Sequence, residues 1–307
     1  MKIKLLGFLC FALIQHLGAQ TLTDNLMMPK KNLCTGVIYT TDSWKNYWEG
    51  SLKRDNLNIG TITTTSAMWV GSYGLTEKIN IIAMAPYVWT NSSGPTLHPM
   101  QGVQDLTVGG KYRLLKTEIQ NSTIRAFAGA SFSVPLTNYT PDYLPLSIGL
   151  QSKTLAIRGN AEYAYAKKWF AGISGAYVFR SNITLDRPSY YTDGQLFLTN
   201  EVAMPNQFQF FGNIGYRQPN WHAEITYSQQ NTLGGDDIRR QDMPFASNRM
   251  NYSKLGAMGM YYLSKPKGLA IHAAASYTVA GRNVGQSTTY SAGLLYTIQF
   301  KKETQTN

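Results

Sequence analysis

Along most of the chain, apolar and polar residues alternate with a period of two, as in strands that give one face to an apolar phase and the other to water. Between residues 105 and 115, Leu106, Val108, Gly110, Tyr112 and Leu114 make one set, and Asp105, Thr107, Lys111 and Arg113 the other. Between 122 and 134, Ile124, Ala126, Ala128, Ala130, Phe132 and Val134 oppose Thr123, Arg125, Ser131 and Ser133. The final stretch sets Tyr290, Ala292, Leu294, Tyr296, Ile298 and Phe300 against Ser291, Thr297 and Gln299. The pattern predicts twelve strands, near 33–42, 57–74, 79–90, 104–115, 122–135, 153–166, 169–181, 207–217, 221–231, 252–263, 268–280 and 287–300.

The connections between them alternate in length. Residues 75–78, 116–121, 166–168, 218–220 and 264–267 read as short turns; 43–56, 91–103, 136–152, 182–206 and 232–251 are long, and 281–286 is shorter. Short turns at one end and long loops at the other point to an all-β, antiparallel, up-and-down transmembrane β-barrel, with periplasmic turns and extracellular loops. An even strand number leaves both chain ends on the short-turn side. A soluble β-sandwich is built from the same alternation. It fits less well, because these strands reach the ~9–11 residues needed to span a bilayer, whereas ordinary strands average about 5–6. Aromatic residues gather near strand ends, among them Trp69, Tyr73, Trp89, Trp169, Tyr216 and Trp221, as in interfacial girdles.

Composition sharpens this picture. Charged residues are 15% of the 307 and aromatics 12%, with 20 Tyr and 27 Gly. A soluble domain carries roughly 25% charge. Residues 1–19 read as an export signal, with Lys2 and Lys4 before an apolar run and Ala19 at the expected cut. Residues 20–307 then form a single barrel domain. Losing Lys2 and Lys4 takes the formal charge from +11 to +9 and leaves Cys34 as the one cysteine, so no intramolecular disulfide is expected. The positive excess is dispersed, which argues against nucleic acid.

The run Tyr73-Gly74-Leu75-Thr76-Glu77-Lys78-Ile79-Asn80-Ile81, then Ala85-Pro86-Tyr87-Val88, then Gly102-Val103-Gln104-Asp105-Leu106-Thr107-Val108-Gly109-Gly110-Lys111-Tyr112-Arg113, resembles the outer-membrane barrel family associated with the phenol meta-cleavage pathway. Val134-Pro135-Leu136-Thr137-Asn138-Tyr139 and Ser147-Ile148-Gly149-Leu150 are similar to a loop of that family. The resemblance implies an outer-membrane channel or transporter for small molecules, hydrophobic or aromatic compounds among them. It also implies location in the outer membrane of a Gram-negative-type bacterium, with lipid and the barrel-assembly machinery as partners. The alternative is a surface barrel that binds ligands or serves as a receptor or secretion component without transport.

Strand parity places Asp105, Lys111, Arg113, Arg125, Arg158, Glu162, Arg180, Arg217, Glu224 and Lys254 on the lumen side, because charges are expelled from the hydrocarbon face. Two readings remain open for this set: a basic lining that favours anions, or ion pairs that fill a narrow barrel. Trp44, Tyr47 and Trp48, with Tyr139, Tyr143, Tyr190 and Tyr191, are loop aromatics able to meet a ligand at the mouth or to pack the loops themselves. Acids in 231–249 (Asp236, Asp237, Asp242) sit among Arg239 and Arg240 and fit a salt-bridged loop better than a Ca²⁺ site. No catalytic triad, metal-ligand spacing or phosphate loop is present in the sequence, so no catalytic residue, metal or cofactor is expected. A barrel phospholipase needs His and Ser together on the lipid face, whereas His222 and His272 fall on the polar sets.

Overall fold

The structure, a computed structural model, describes residues 21–300. The expected export signal at 1–19, Cys10 within it, and the tail at 301–307 lie outside the described residues. Twelve long antiparallel strands form one wall: β1 (Asn32–Trp44), β2 (Ile62–Gly74), β3 (Ile79–Ser92), β4 (Asp105–Ile119), β5 (Ser122–Pro135), β6 (Thr154–Tyr165), β7 (Trp169–Arg180), β8 (Gln207–Arg217), β9 (Trp221–Thr232), β10 (Asn251–Tyr262), β11 (Leu269–Arg282) and β12 (Thr288–Gln299). Each strand pairs with its sequence neighbours, and β1 pairs with β12 from Asn32↔Gln299 to Ser43↔Thr288. The sheet is closed, and the edge problem of an open sheet disappears.

The outward rows carry the apolar sets. Ile157, Ile173, Ile214, Ile225, Leu255, Ile271 and Leu294 are all exposed. In water such a belt is untenable, and it is the lipid-facing surface of a membrane-spanning barrel. Rings pair at both rims: Trp169 with Tyr216 (4.7 Å between centroids) and Tyr73 with Phe300 (6.4 Å) at the short-turn end, Tyr87 with Trp89 (5.3 Å) and Tyr177 with Phe179 (4.7 Å) at the other. Trp169 and Phe179 are ten residues apart on β7. That is ~33 Å of strand, or ~25 Å of height at a tilt of ~40°, the thickness of an apolar band.

Two stretches depart from strict alternation. A bulge shifts the β4–β5 register between Arg113 and Leu115, and Leu114 and Leu115 are both exposed. Beyond it β4 continues to Ile119, where the sequence reads as a turn, and Lys116 comes level with Arg125. A second bulge lies between Ser253 and Lys254 of β10. Residues 57–61, expected within β2, form a loop instead. The Asn56 side chain ties it, donating to Gly60 O (3.0 Å) and accepting from Ile59 N (3.3 Å), and Gly60 has φ +70°. Glycine adopts that region at no steric cost.

The long connections are ordered by their own packing. Asn46–Glu49 pairs with Leu52–Asp55, and Tyr190–Thr192 with Gln195–Phe197. Ile183, Leu185, Tyr190, Val202, Met204, Phe245 and Ala246 form a small buried core above the wall.

Candidate functional site

The inward rows line a lumen that contains a piece of the chain itself. Residues 21–28 precede β1 and run inside the barrel. Lys111, 2% exposed, donates from Nζ to Thr21 O (3.0 Å), Asp24 O (3.1 Å) and Asp24 Oδ1 (3.0 Å). Asn160 Nδ2 donates to Leu22 O at 3.0 Å. Gly172 leaves room for the segment: a Cβ there would stand 2.5 Å from Asn25 Nδ2. Met28 is buried with Cys34, Val70, Met260, Ala270 and Leu295. The burial of Met28, with these four hydrogen bonds from Lys111 and Asn160, fixes the segment against both walls.

Below and beside it lies a charged neck. Glu162 of β6 is ion-paired to Arg125 of β5, and to Arg217 of β8 at 3.4 Å. Its side chain is 1% exposed. The Arg217 guanidinium stacks 4.2 Å from the centre of the Phe170 ring. Glu224 Oε2 accepts from Asn213 Nδ2 at 2.8 Å. Arg158 donates to Ser174 Oγ (3.1 Å) and Gln209 Oε1 (3.0 Å). Nearer the loops, Lys254 pairs with Asp42 at 3.1 Å, Arg180 donates to Pro205 O at 3.3 Å, and Asp105 accepts from the Tyr139 hydroxyl at 2.5 Å.

Ion pairing engages part of the lumen charge and leaves part of it without a counter-charge. Lys111, Arg125, Arg217 and Lys254 are in ion pairs. Arg113, Arg158 and Arg180 have no carboxylate partner among the described residues. Of the predicted lumen set, Lys111 meets the inner segment, Arg125, Glu162 and Arg217 meet one another, and Asp105, Arg180 and Lys254 find their partners nearer the loops.

Two cavities flank the inner segment. One, of about 280 Å³, is walled by Ile38, Val70, Phe211, Met258, Met260 and Leu295 on one side and by Glu162, Asn213, His222, Glu224 and His272 on the other. The second, of about 230 Å³ at the short-turn end, is lined by Arg113, Lys116, Arg125, Phe127 and Arg217. Asn25, Leu26 and Arg217 line both, so the segment and the Arg217 side chain together form the partition between them. Sequence periodicity alone misses this partition, because residues 21–31 carry no alternation. It also misses Phe127, Phe170 and Phe211, apolar residues at lumen parity.

The loop aromatics are engaged with the protein. Trp48 packs on Gly281 and Trp44 on Gly285, where a Cβ would meet the indoles at 2.4 and 2.3 Å. Tyr190 is stacked between Phe197 and Phe245, 5.1 Å from each. The Tyr143 hydroxyl accepts from His98 N at 2.9 Å. Burial and the neighbouring Asp105 carboxylate push the Tyr139 hydroxyl well above its ordinary pKa, which keeps it a donor at every physiological pH. Tyr191 is exposed.

In the 232–251 loop, Asp237 accepts from Arg282 Nε (2.8 Å) and Asn283 Nδ2 (2.7 Å), and Arg239 pairs with Asp193 at 2.8 Å. The Arg282 contact holds the Asp237 pKa below 3.8. A folded pKa below the unfolded one stabilises above the unfolded value and is lost as pH falls through the folded value. Hydrogen–deuterium exchange in this loop, corrected for intrinsic rate, is expected to rise at pH 3 relative to pH 7. In Asp237→Asn the two pH values should give equal protection.

The closed wall, lipid belt and lined lumen define a transmembrane β-barrel of the outer-membrane channel fold. No protein-family model matches the chain, and no curated protein matches it in sequence. Among solved structures it is similar to an outer membrane channel from Pseudomonas putida F1, with a TM-score of 0.69 and 14% identity over 88% of this chain and 97% of that one. Looser likenesses include the NanC porin (TM-score 0.45, 9% identity, 84% of this chain and 98% of that) and a mutant of the TodX monoaromatic hydrocarbon channel (TM-score 0.45, 9% identity, 89% and 91%).

Proposed function

We propose that the chain is an outer-membrane channel of a Gram-negative bacterium that passes small molecules through its lumen, with the short turns in the periplasm. One observation carries this reading: a closed lipid-facing wall encloses two cavities that meet at the inner segment and the Arg217 side chain. A wall built for anchorage alone has no need of lined cavities on its axis. The apolar side of the larger cavity favours solutes with apolar bodies, and the resemblance to the phenol meta-cleavage family extends that to aromatic compounds. The folded loop core supports a second reading, a barrel that displays its loops for binding.

Liposome swelling with the purified barrel separates the two. Passage of a small neutral solute such as a pentose is expected, and swelling no faster than in protein-free liposomes would remove the channel reading.

A further inference from the structure

We propose that the short-turn-end cavity is a binding site for small organic carboxylates with an apolar body. The proposal rests on the channel reading above and names the solute class of that pore. Arg113, Lys116, Arg125 and Arg217 converge on about 230 Å³ of space whose lining contains no carboxylate. Glu162 offsets Arg125 and Arg217 from behind, and Glu118 offsets Lys116 at 2.7 Å. The four cations thus face two acids, neither of which lines the cavity. Arg113 has no ion-pair partner among the described residues, and Arg217 Nε is buried without a hydrogen-bond acceptor among them.

Burial leaves the Arg217 Nε donor without water or acceptor among the described residues, at a cost that an anion's oxygen would offset. The partly exposed Arg113, Lys116 and Arg125 add like charge beside it. Guanidinium groups match the planar, two-oxygen geometry of a carboxylate. Beside the Asn25 and Gln218 amides, Leu26, Met27, Phe127 and the Tyr262 ring supply the apolar part of the lining. These give an apolar body a place that inorganic phosphate leaves unused. The volume lies below the ~300–1,000 Å³ of drug-sized sites, which limits the ligand to about the size of a single ring and rules out oligosaccharides.

The bulge at Arg113/Leu115 is what builds the site. It resets the parity of β4, bringing Lys116 level with Arg125; strict alternation would send Lys116 toward lipid.

The test is titration calorimetry on the purified full-length barrel with benzoate, benzylammonium and inorganic phosphate. Benzoate is expected to bind at least tenfold more tightly than either control. An Arg113→Gln, Lys116→Gln double variant should weaken benzoate at least tenfold, whereas Arg113→Lys, Lys116→Arg should retain most of the affinity. Heat-modifiable gel migration checks that each variant is folded. Equal binding of benzylammonium or phosphate, or an unchanged affinity in the glutamine variant, overturns the site. The pentose swelling assay is read independently, so a barrel that swells without binding benzoate refutes only the carboxylate site. One that binds benzoate without swelling refutes only the channel.

Discussion

Deleting residues 21–28 is expected to raise the single-channel conductance of the purified barrel several-fold and to speed pentose entry into liposomes. Asn25 and Leu26 make up, with Arg217, the wall shared by the two lumen cavities, so their removal opens the cavities of about 280 Å³ and about 230 Å³ to each other past the Arg217 side chain. The surrounding strands remain fully paired, because no ladder bond of the wall comes from this segment. Lys111→Met is the milder version. It removes three donated hydrogen bonds, one of them the ion pair to Asp24, but leaves Met28 anchored in its apolar cluster. Current through that variant should fluctuate between the wild-type level and that of the deletion. A deletion variant that conducts like the wild type would show that the segment is not the restriction.

Glu162→Ala is expected to cost about 3 kcal/mol of stability, toward the lower end of the ~3–5 kcal/mol seen when one partner of a buried ion pair is removed. The lower end applies because the Arg125 side chain is 25% exposed and recovers some hydration, whereas Arg217 is 15% exposed and recovers less. Two guanidinium groups on the same stretch of wall are left beside each other without the carboxylate that joined them. The methyl group also leaves a void beside Phe170, on which Arg217 is stacked. Glu162→Gln keeps hydrogen-bond acceptance on one oxygen and should lose less. Urea unfolding of the reconstituted barrel, followed by the shift in gel migration, measures both. Equal midpoints for wild type and Glu162→Ala would mean that the neck is solvated rather than buried.

The wall was legible in the sequence because alternation is a direct consequence of strand geometry between lipid and water. The existence and order of all twelve strands follow from it. Exceptions arise where the chain breaks its own period. Leu114-Leu115, two apolar neighbours in an alternating run, were the visible sign of the bulge that extends β4 and aims Lys116 inward. Asn56 and Gly60 marked the turn that shortens β2. The inner segment left no such trace, because its contacts are long-range. Asp24 finds Lys111 across 87 residues, and nothing local in 21–28 specifies a partner. Likewise, Trp44 and Trp48 read equally well as ligand contacts or as packing until Gly285 and Gly281 were found beneath them.

The pairing of β1 with β12 has a consequence for the order of assembly. Every other pairing in the wall joins strands adjacent in sequence, across connections far shorter than the chain as a whole. The Asn32↔Gln299 pair closes one of more than 260 residues. Loop-closure entropy grows only logarithmically with length, so the penalty in free energy is modest, but the event must wait until the other eleven pairings have brought the two strands together. The hairpin at Asn46–Glu49 and Leu52–Asp55 bridges the same two strands at the loop end, through Trp48 N to Val284 O (2.9 Å), Gln286 N to Asn46 O (2.6 Å) and Gly50 N to Asn283 Oδ1 (2.7 Å). Those bonds can form only after the circle is complete. The first external loop is therefore a latch for the last step of folding, and its hydrogen-exchange protection reports whether a newly inserted barrel has closed.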